Sequence, residues 1–211
     1  TGTEKITLGG SGNTILVGGL ETLSGGTGID KITLDNTGST IQVSALETLT
    51  GGAGNDGYIV GAGSDSFTDL CNGADVLVVS AGATANATLG AAWTATASSS
   101  NAGTASLTAA GYAVNLSAAT GANGWSVSNA GNATAVSLTG SAKADTLIGG
   151  TGADSLNGGA GNDGLTGGLG ADSFTIGAGT DRITDLGNGA DVLVVSAGAS
   201  ATATLGEAWT A

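Results

Sequence analysis

"GGTGADSLNGGAGNDGLTGGLGADSF", Gly149 to Phe174, returns an aspartate at every ninth position, Asp154, Asp163 and Asp172, in a setting dominated by glycine. A segment so small and flexible buries too little apolar surface to offset the entropy lost on ordering it. Its stabilisation has to come from outside the polypeptide.

The segment obeys a nine-residue rule, G-G-x-G-x-D-x-U-x, with U a large apolar residue. It is met in full by 149–157, 158–166 and 167–175, with looser flanking copies at 140–148 and 176–184. Upstream, 25–33 and 51–59 also match, and 60–68 does so loosely. Linkers do not hold an acid at the sixth place and an apolar residue at the eighth through consecutive repeats. The literal G-x-G-x-x-G in "GAGNDG" at 52–57 and 159–164 lacks the long strand and following helix of a dinucleotide site.

On these residues the chain resembles the RTX (repeats-in-toxin) family, whose nonapeptides form a parallel β-roll that binds calcium. The resemblance implies that six residues of each repeat turn and three form a strand with U inward, here Leu147, Leu156, Leu165, Phe174 and Ile183. Two repeats complete a coil, so Asp145, Asp163 and Asp181 line one edge and Asp154 and Asp172 the other. The ligands it implies are Asp30, Asp56, Asp65, Asp75, Asp145, Asp154, Asp163, Asp172, Asp181 and Asp191. With them come the carbonyls of Gly51, Ala53, Gly149, Thr151, Gly158, Ala160, Gly167, Leu169, Gly177 and Gly179. Asp69 and Asp185 are candidates beside the last ion.

Carboxylates stacked about 4.8 Å apart repel by about 1 kcal/mol in water and about 3.5 kcal/mol at an effective dielectric of 20. Ca²⁺ reverses the sign and accepts six to eight oxygens, where Mg²⁺ demands a tighter octahedron and Zn²⁺ prefers His or Cys. Several calcium ions are therefore expected, and disorder in their absence.

Composition agrees. The 211 residues carry 17 Asp and Glu against four Lys and Arg, a net charge of −13, which disfavours nucleic acid and anionic membrane as partners. With no His there is no Ser-His or Cys-His pair and no zinc-protease motif, and a non-enzyme is expected. Cys71, replaced by Gly187 in the second copy, forms no internal disulfide. No stretch is apolar and long enough to span a bilayer, and Thr1 opens without a leader or an initiating Met, so the chain reads as a piece of a longer protein. Asn86, Asn115 and Asn132 begin sequons expected from chance in an Asn, Ser and Thr rich chain.

Repeats set the expected organisation. Residues 1–26 realign on 27–52, and the segment from Gly61 returns from Gly177 at an offset of 116. The expected units are 26-residue-period solenoid coils at 1–52, a roll with a capping strand at 53–95, an Ala/Ser/Thr/Asn-rich β segment at 96–139, and a second roll with a capping strand at 140–211. In 1–52 the period suggests three strands per coil, "KITL", "TIQV" and "LETL", stacking Asp30 on Asp56. Glu4 and Thr14 then hold aspartate places, and Glu21 and Glu47 form a solvated stripe. Tyr112, Val114 and Leu116, Trp125 with Val127, and Val136 with Leu138 alternate as half-buried strands. Val76–Val79 and Val192–Val195 are expected to cover the rolls' open edges, and "ATLGAAW" and "ATLGEAW" to form a helical turn each.

The expected fold is all-β: calcium-loaded parallel β-roll and β-solenoid cassettes with a short-stranded segment between them. The expected function is a calcium-binding structural module of a large secreted bacterial cell-surface protein, of surface-layer or adhesin type. The alternative is the C-terminal folding and secretion module of a type I secreted RTX enzyme or toxin. Expected partners are calcium ions and further copies or neighbouring repeats of the same chain, without membrane insertion.

Overall fold

A computed structural model describes residues 5–9, 14–17, 22–24, 30–34, 36–44, 48–70 and 73–206. Among them the chain is a parallel β-solenoid without helices. A long sheet of eleven strands runs from Thr14–Val17 to Ser200–Leu205. Seven strands from Lys5–Thr7 to Thr120–Gly121 form a second sheet, and six from Trp93–Thr94 to Val192–Val195 a third.

In the glycine repeats the nine-residue spacing becomes an eighteen-residue coil. Thr146 pairs Gly164, which pairs Arg182, in the long sheet, and Ser155 pairs Ser173 in the third. The apolar places therefore stack on their own kind: Leu147 on Leu165 on Ile183, and Leu156 on Phe174. All five side chains are fully buried. Each such residue contributes about 1.5–3 kcal/mol by leaving water, which makes the two files the core of the roll. The turns close because Gly159 and Gly161 take φ of +90° and +129°, where a Cβ would also run into the carbonyls of Ser141 and Lys143.

The segment 96–139 is continuous with both rolls. Between Thr84 and Ser128 each coil visits all three sheets, so the solenoid gains a third side while the long sheet passes through unbroken. Thr84 pairs Thr104 and Ser106 pairs Ser126, a coil of twenty residues. Val114, Leu116, Trp125, Val127, Val136 and Leu138 point inward as the alternation predicts, and Tyr112 is exposed. Small Ala83, Ala85, Ala87, Ala105 and Ala109 fill the space beside a Trp93–Trp125 pair whose rings meet edge to face, 5.9 Å apart.

Three expectations are corrected. In 1–52 the strands occur near the expected places, but Thr14 pairs Lys31 and Lys31 pairs Thr48, a coil of seventeen residues with two strands. A 26-residue repeat of three strands is then one and a half coils. Asp30 consequently precedes a strand of the long sheet and Asp56 a strand of the seven-stranded one, so they do not stack. Because Thr14 pairs the residue after Asp30, it is not at an aspartate place, and Leu16, two places on, is 72% exposed. Second, Val76–Val79 is an internal rung with Gly57–Ala62 on one side and Ser100–Asn101 on the other. Its counterpart Val192–Val195 has one neighbour among the described residues, and Val192, Val194 and Val195 are about half exposed where Leu77 and Val79 are buried. Third, "ATLGAAW" is strand at Thr84–Leu89 and again at Trp93–Thr94, and Ala203 to Leu205 lie in Ser200–Leu205. Glu4, Glu21, Glu47, Cys71 and Trp209 lie outside the described residues.

Candidate metal centre

Each candidate aspartate ends a turn. Asp30, Asp56, Asp75, Asp145, Asp154, Asp163, Asp172 and Asp191 immediately precede strands, and Asp65 and Asp181 are the second residues of theirs. Glycine upstream lets the turn fold back, and the apolar residue two places on pulls the strand into the core. The acid is carried inward with it. All ten are buried, from 0% exposed at Asp30, Asp65 and Asp181 to 7% at Asp191.

Along each edge one carboxylate oxygen is used in the same way, accepting the backbone N–H of the coil before. On the long-sheet edge the Asp145, Asp163 and Asp181 Oδ1 atoms accept from Trp125, Asp145 and Asp163, at 2.6, 2.8 and 2.9 Å. On the other edge the Asp154, Asp172 and Asp191 Oδ1 atoms accept from Val136, Asp154 and Asp172, at 2.8, 2.8 and 2.9 Å. The first roll repeats the device, with Ser39 donating to Asp56 at 2.7 Å and Asp56 to Asp75 at 2.8 Å. The two eighteen-residue ladders expected of the second roll are thus present, and Asp191 extends one of them.

The second oxygen separates the rungs. Oδ2 of Asp154, Asp163, Asp172 and Asp181 is buried with no hydrogen-bond partner. A buried acceptor left so costs about 1–3 kcal/mol and a buried charge more. The cationic groups of Lys31, Lys143 and Arg182 belong to exposed residues. Burial carries the Asp163 carboxyl to about 7, opposed by the Asp145 N–H and reinforced by the charges of Asp145 and Asp181. Burial likewise carries Asp172 to about 6, against the Asp154 N–H and with the charges of Asp191, Asp154 and Asp185. Asp145 and Asp154 are raised by the same cause.

Carbonyls converge on these oxygens. A Cβ added to Gly140 would meet both Asp145 Oδ2 and the Gly158 carbonyl of the next coil, and one on Gly149 both Asp154 Oδ2 and the Gly167 carbonyl. At Gly140 and Gly149 the missing side chain thus leaves a cradle lined by hard oxygens of two coils, the donor set that suits a large divalent cation. At Gly158 and Gly167 it leaves room beside Asp163 Oδ2 and Asp172 Oδ2. Among the described residues no three Asp, Glu, His or Cys side chains gather at one point, so an ion here draws on main-chain oxygens as well. The Gly179 carbonyl accepts the Ser200 N–H at 3.1 Å. Asp185 is held by the coil before it, its oxygens accepting from Gly167 at 3.0 Å and Gly168 at 2.7 Å.

Reading by motif overlooks two groups. Ser141, at the second glycine place of 140–148, donates its hydroxyl to Asp145, and that departure from the rule was its only signal. Asn101 and Asn129, buried in the middle segment, accept turn N–H groups through Oδ1. Asn129 follows the strand whose Ser128 pairs Ile148, so it stands one strand-length beyond the aspartate place, which Trp125 occupies. No periodic signal marks them.

No curated protein and no solved structure matches the chain. Residues 48–67 and 139–174 match the RTX calcium-binding nonapeptide repeat, in four copies, and they hold the glycine cradles and Asp56, Asp65, Asp145, Asp154, Asp163 and Asp172. It is as a carrier of RTX calcium-binding repeats, mounted on a parallel β-solenoid, that the chain is identified.

Proposed function

We propose that the chain is a calcium-dependent structural module of a large, exported bacterial surface protein, of surface-layer or adhesin type. The observation that carries the reading is the set of buried Oδ2 atoms without partners on Asp154, Asp163, Asp172 and Asp181. Bound Ca²⁺ supplies the positive charge and the oxygen coordination that these carboxylates lack. The ligands are Asp30, Asp56, Asp65, Asp75, Asp154, Asp163, Asp172, Asp181 and Asp191, while Asp145, the tenth expected, has its Oδ2 satisfied by Ser141. Turn carbonyls of Gly51, Ala53, Gly149, Thr151, Gly158, Ala160, Gly167, Leu169, Gly177 and Gly179 complete the set.

One feature supports a structural role: the cassette is duplicated along one continuous solenoid, as a long extended protein requires. RTX repeat proteins are generally secreted by bacteria, which favours an extracellular location. Because ion binding and folding are coupled, chelation should remove most β structure from the rolls and millimolar calcium should restore it. Circular dichroism with and without chelator tests this, and unchanged spectra would sink the metal-coupled account.

A further inference from the structure

We propose that Ser141 closes the first rung of the long-sheet ladder at Asp145, its hydroxyl taking the place that a cation holds at the rungs beyond. The inference rests on the calcium-binding reading and assigns a residue that the repeat rule would discount.

Two consecutive rungs on the same edge carry the argument. Asp145 and Asp163 stand at the same place of their repeats, one coil apart, and each is 2% exposed. Each Oδ1 accepts a backbone N–H from the coil before, from Trp125 and Asp145 respectively. The difference is at Oδ2. That of Asp163 has no partner, whereas that of Asp145 accepts both the Ser141 N–H at 2.5 Å and the Ser141 hydroxyl at 2.9 Å. The hydroxyl is buried and fixed, since its oxygen accepts the Lys143 N–H at 3.1 Å and it lies 3.2 Å from Asp145 Oδ1.

Sequence explains why this occurs once. Repeat 140–148 has Ser141 where 158–166 has Gly159, and Lys143 where it has Gly161. A side chain at Gly159 would be held at φ +90° and would collide with the Ser141 carbonyl, so the hydroxyl device cannot be copied into the next coil. It fits only the first coil of the ladder, whose predecessor presents no carboxylate, because no charged residue lies between Asp75 and Lys143. Ser141 thus joins an uncharged solenoid to an ion-dependent one, and the long-sheet ladder begins to need ions at Asp163.

The test is the calcium stoichiometry of the full chain by equilibrium dialysis at saturating calcium. Ser141→Gly turns the repeat into "GGAKADTLI" and should bind one more ion than the wild type, while Ser141→Thr keeps the wild-type count. In chelator, Ser141→Gly should also melt at a lower temperature. In the wild type Asp145→Asn should leave the count unchanged and Asp163→Asn should lower it, which decides the matter if Ser141→Gly folds poorly. Equal counts for Ser141→Gly and wild type, or loss of an ion on Asp145→Asn, would overturn the inference. A wild type that binds no calcium overturns the calcium reading itself.

Discussion

The uncharged coils of 76–139 and the acidic coils of 140–192 share one long sheet and parallel pairing, yet they close their turns with opposite chemistry. In the first, buried Asn129 accepts the Gly111 N–H at 2.8 Å through Oδ1 and donates Nδ2 to the Thr134 carbonyl at 3.2 Å. In the second, Asp163 accepts one N–H through Oδ1 and leaves Oδ2 without a partner. An amide carries donors and acceptors, so it can satisfy both sides of a turn from within the chain. A carboxylate only accepts, and its second oxygen needs a proton or a cation. A turn held by a buried amide is thus self-sufficient, and one held by a buried carboxylate depends on what the solvent supplies.

If that contrast is real, removing calcium should split the molecule. Amide exchange in chelator should quicken by orders of magnitude over 145–192, while 93–128, with the Trp93–Trp125 pair and its alanine core, keeps substantial protection. Hydrogen-exchange mass spectrometry on the whole chain reads both regions at once. Uniform loss, or uniform retention, would break the comparison.

Acidity should act on one region alone. In the metal-free fold Asp163 holds its proton up to about 7 and Asp172 up to about 6, against an ordinary value of 3.8. Folding therefore takes up protons between these limits, and the stabilisation is complete below about pH 4 and lost as pH rises through 6 and 7. In chelator the roll should regain β signal on going from pH 8 to 5. With calcium the sense reverses, since protons compete for the same oxygens, and the half-saturating calcium concentration should rise over that interval. Circular dichroism titrations at several pH values test both. The stretch between Asp75 and Lys143, with no acidic or basic residue, should follow neither trend.

A methyl group distinguishes the two turn types more locally. Gly158→Ala drives a Cβ into Asp163 Oδ2 and should weaken calcium binding sharply and lower stability in calcium by about 3 kcal/mol or more, as disruption of a buried network does. Gly131→Ala meets nothing within 4 Å and carries only the penalty of φ +77°, about 1–2 kcal/mol. Thermal melts in calcium compare the two, and equal losses would mean that the cradle is not built around the carboxylate.

What could be read without coordinates divides along the same line. Where one nine-residue rule places both the acid and the apolar residue, the resemblance to RTX rolls yields the coil, and Leu147, Leu165 and Ile183 stack as it requires. Eight buried carboxylates, Asp30, Asp56, Asp65, Asp145, Asp154, Asp163, Asp172 and Asp181, were legible for the same reason. The first 52 residues misled because their repeat holds three strands and their coil two, so the period of the sequence is not the period of the structure. Val76–Val79 looked like an end because a dense apolar strand follows a roll, and only its pairing with Ser100–Asn101 shows that the solenoid continues. In the middle segment Asn is abundant and serves both local turns, such as Asn115 to Ser117 and Asn132 to Thr134, and bonds between coils, such as Asn123 to Ala102. Nothing in composition separates these from Asn129, which reaches to Gly111 of the coil before.

That last distinction yields the smallest effect and the most specific one. Asn129→Ala removes an acceptor from Gly111 and a donor from Thr134 at a site 2% exposed, leaving two backbone groups to find water or go unpaired. The expected cost is about 1–3 kcal/mol, the range for a buried group deprived of its partner. Because no ion is involved, exchange protection around 108–134 should fall by the same factor in calcium and in chelator. A loss that calcium rescues would mean that the uncharged coils borrow their stability from the rolls, and the division between the two regions would have to be abandoned.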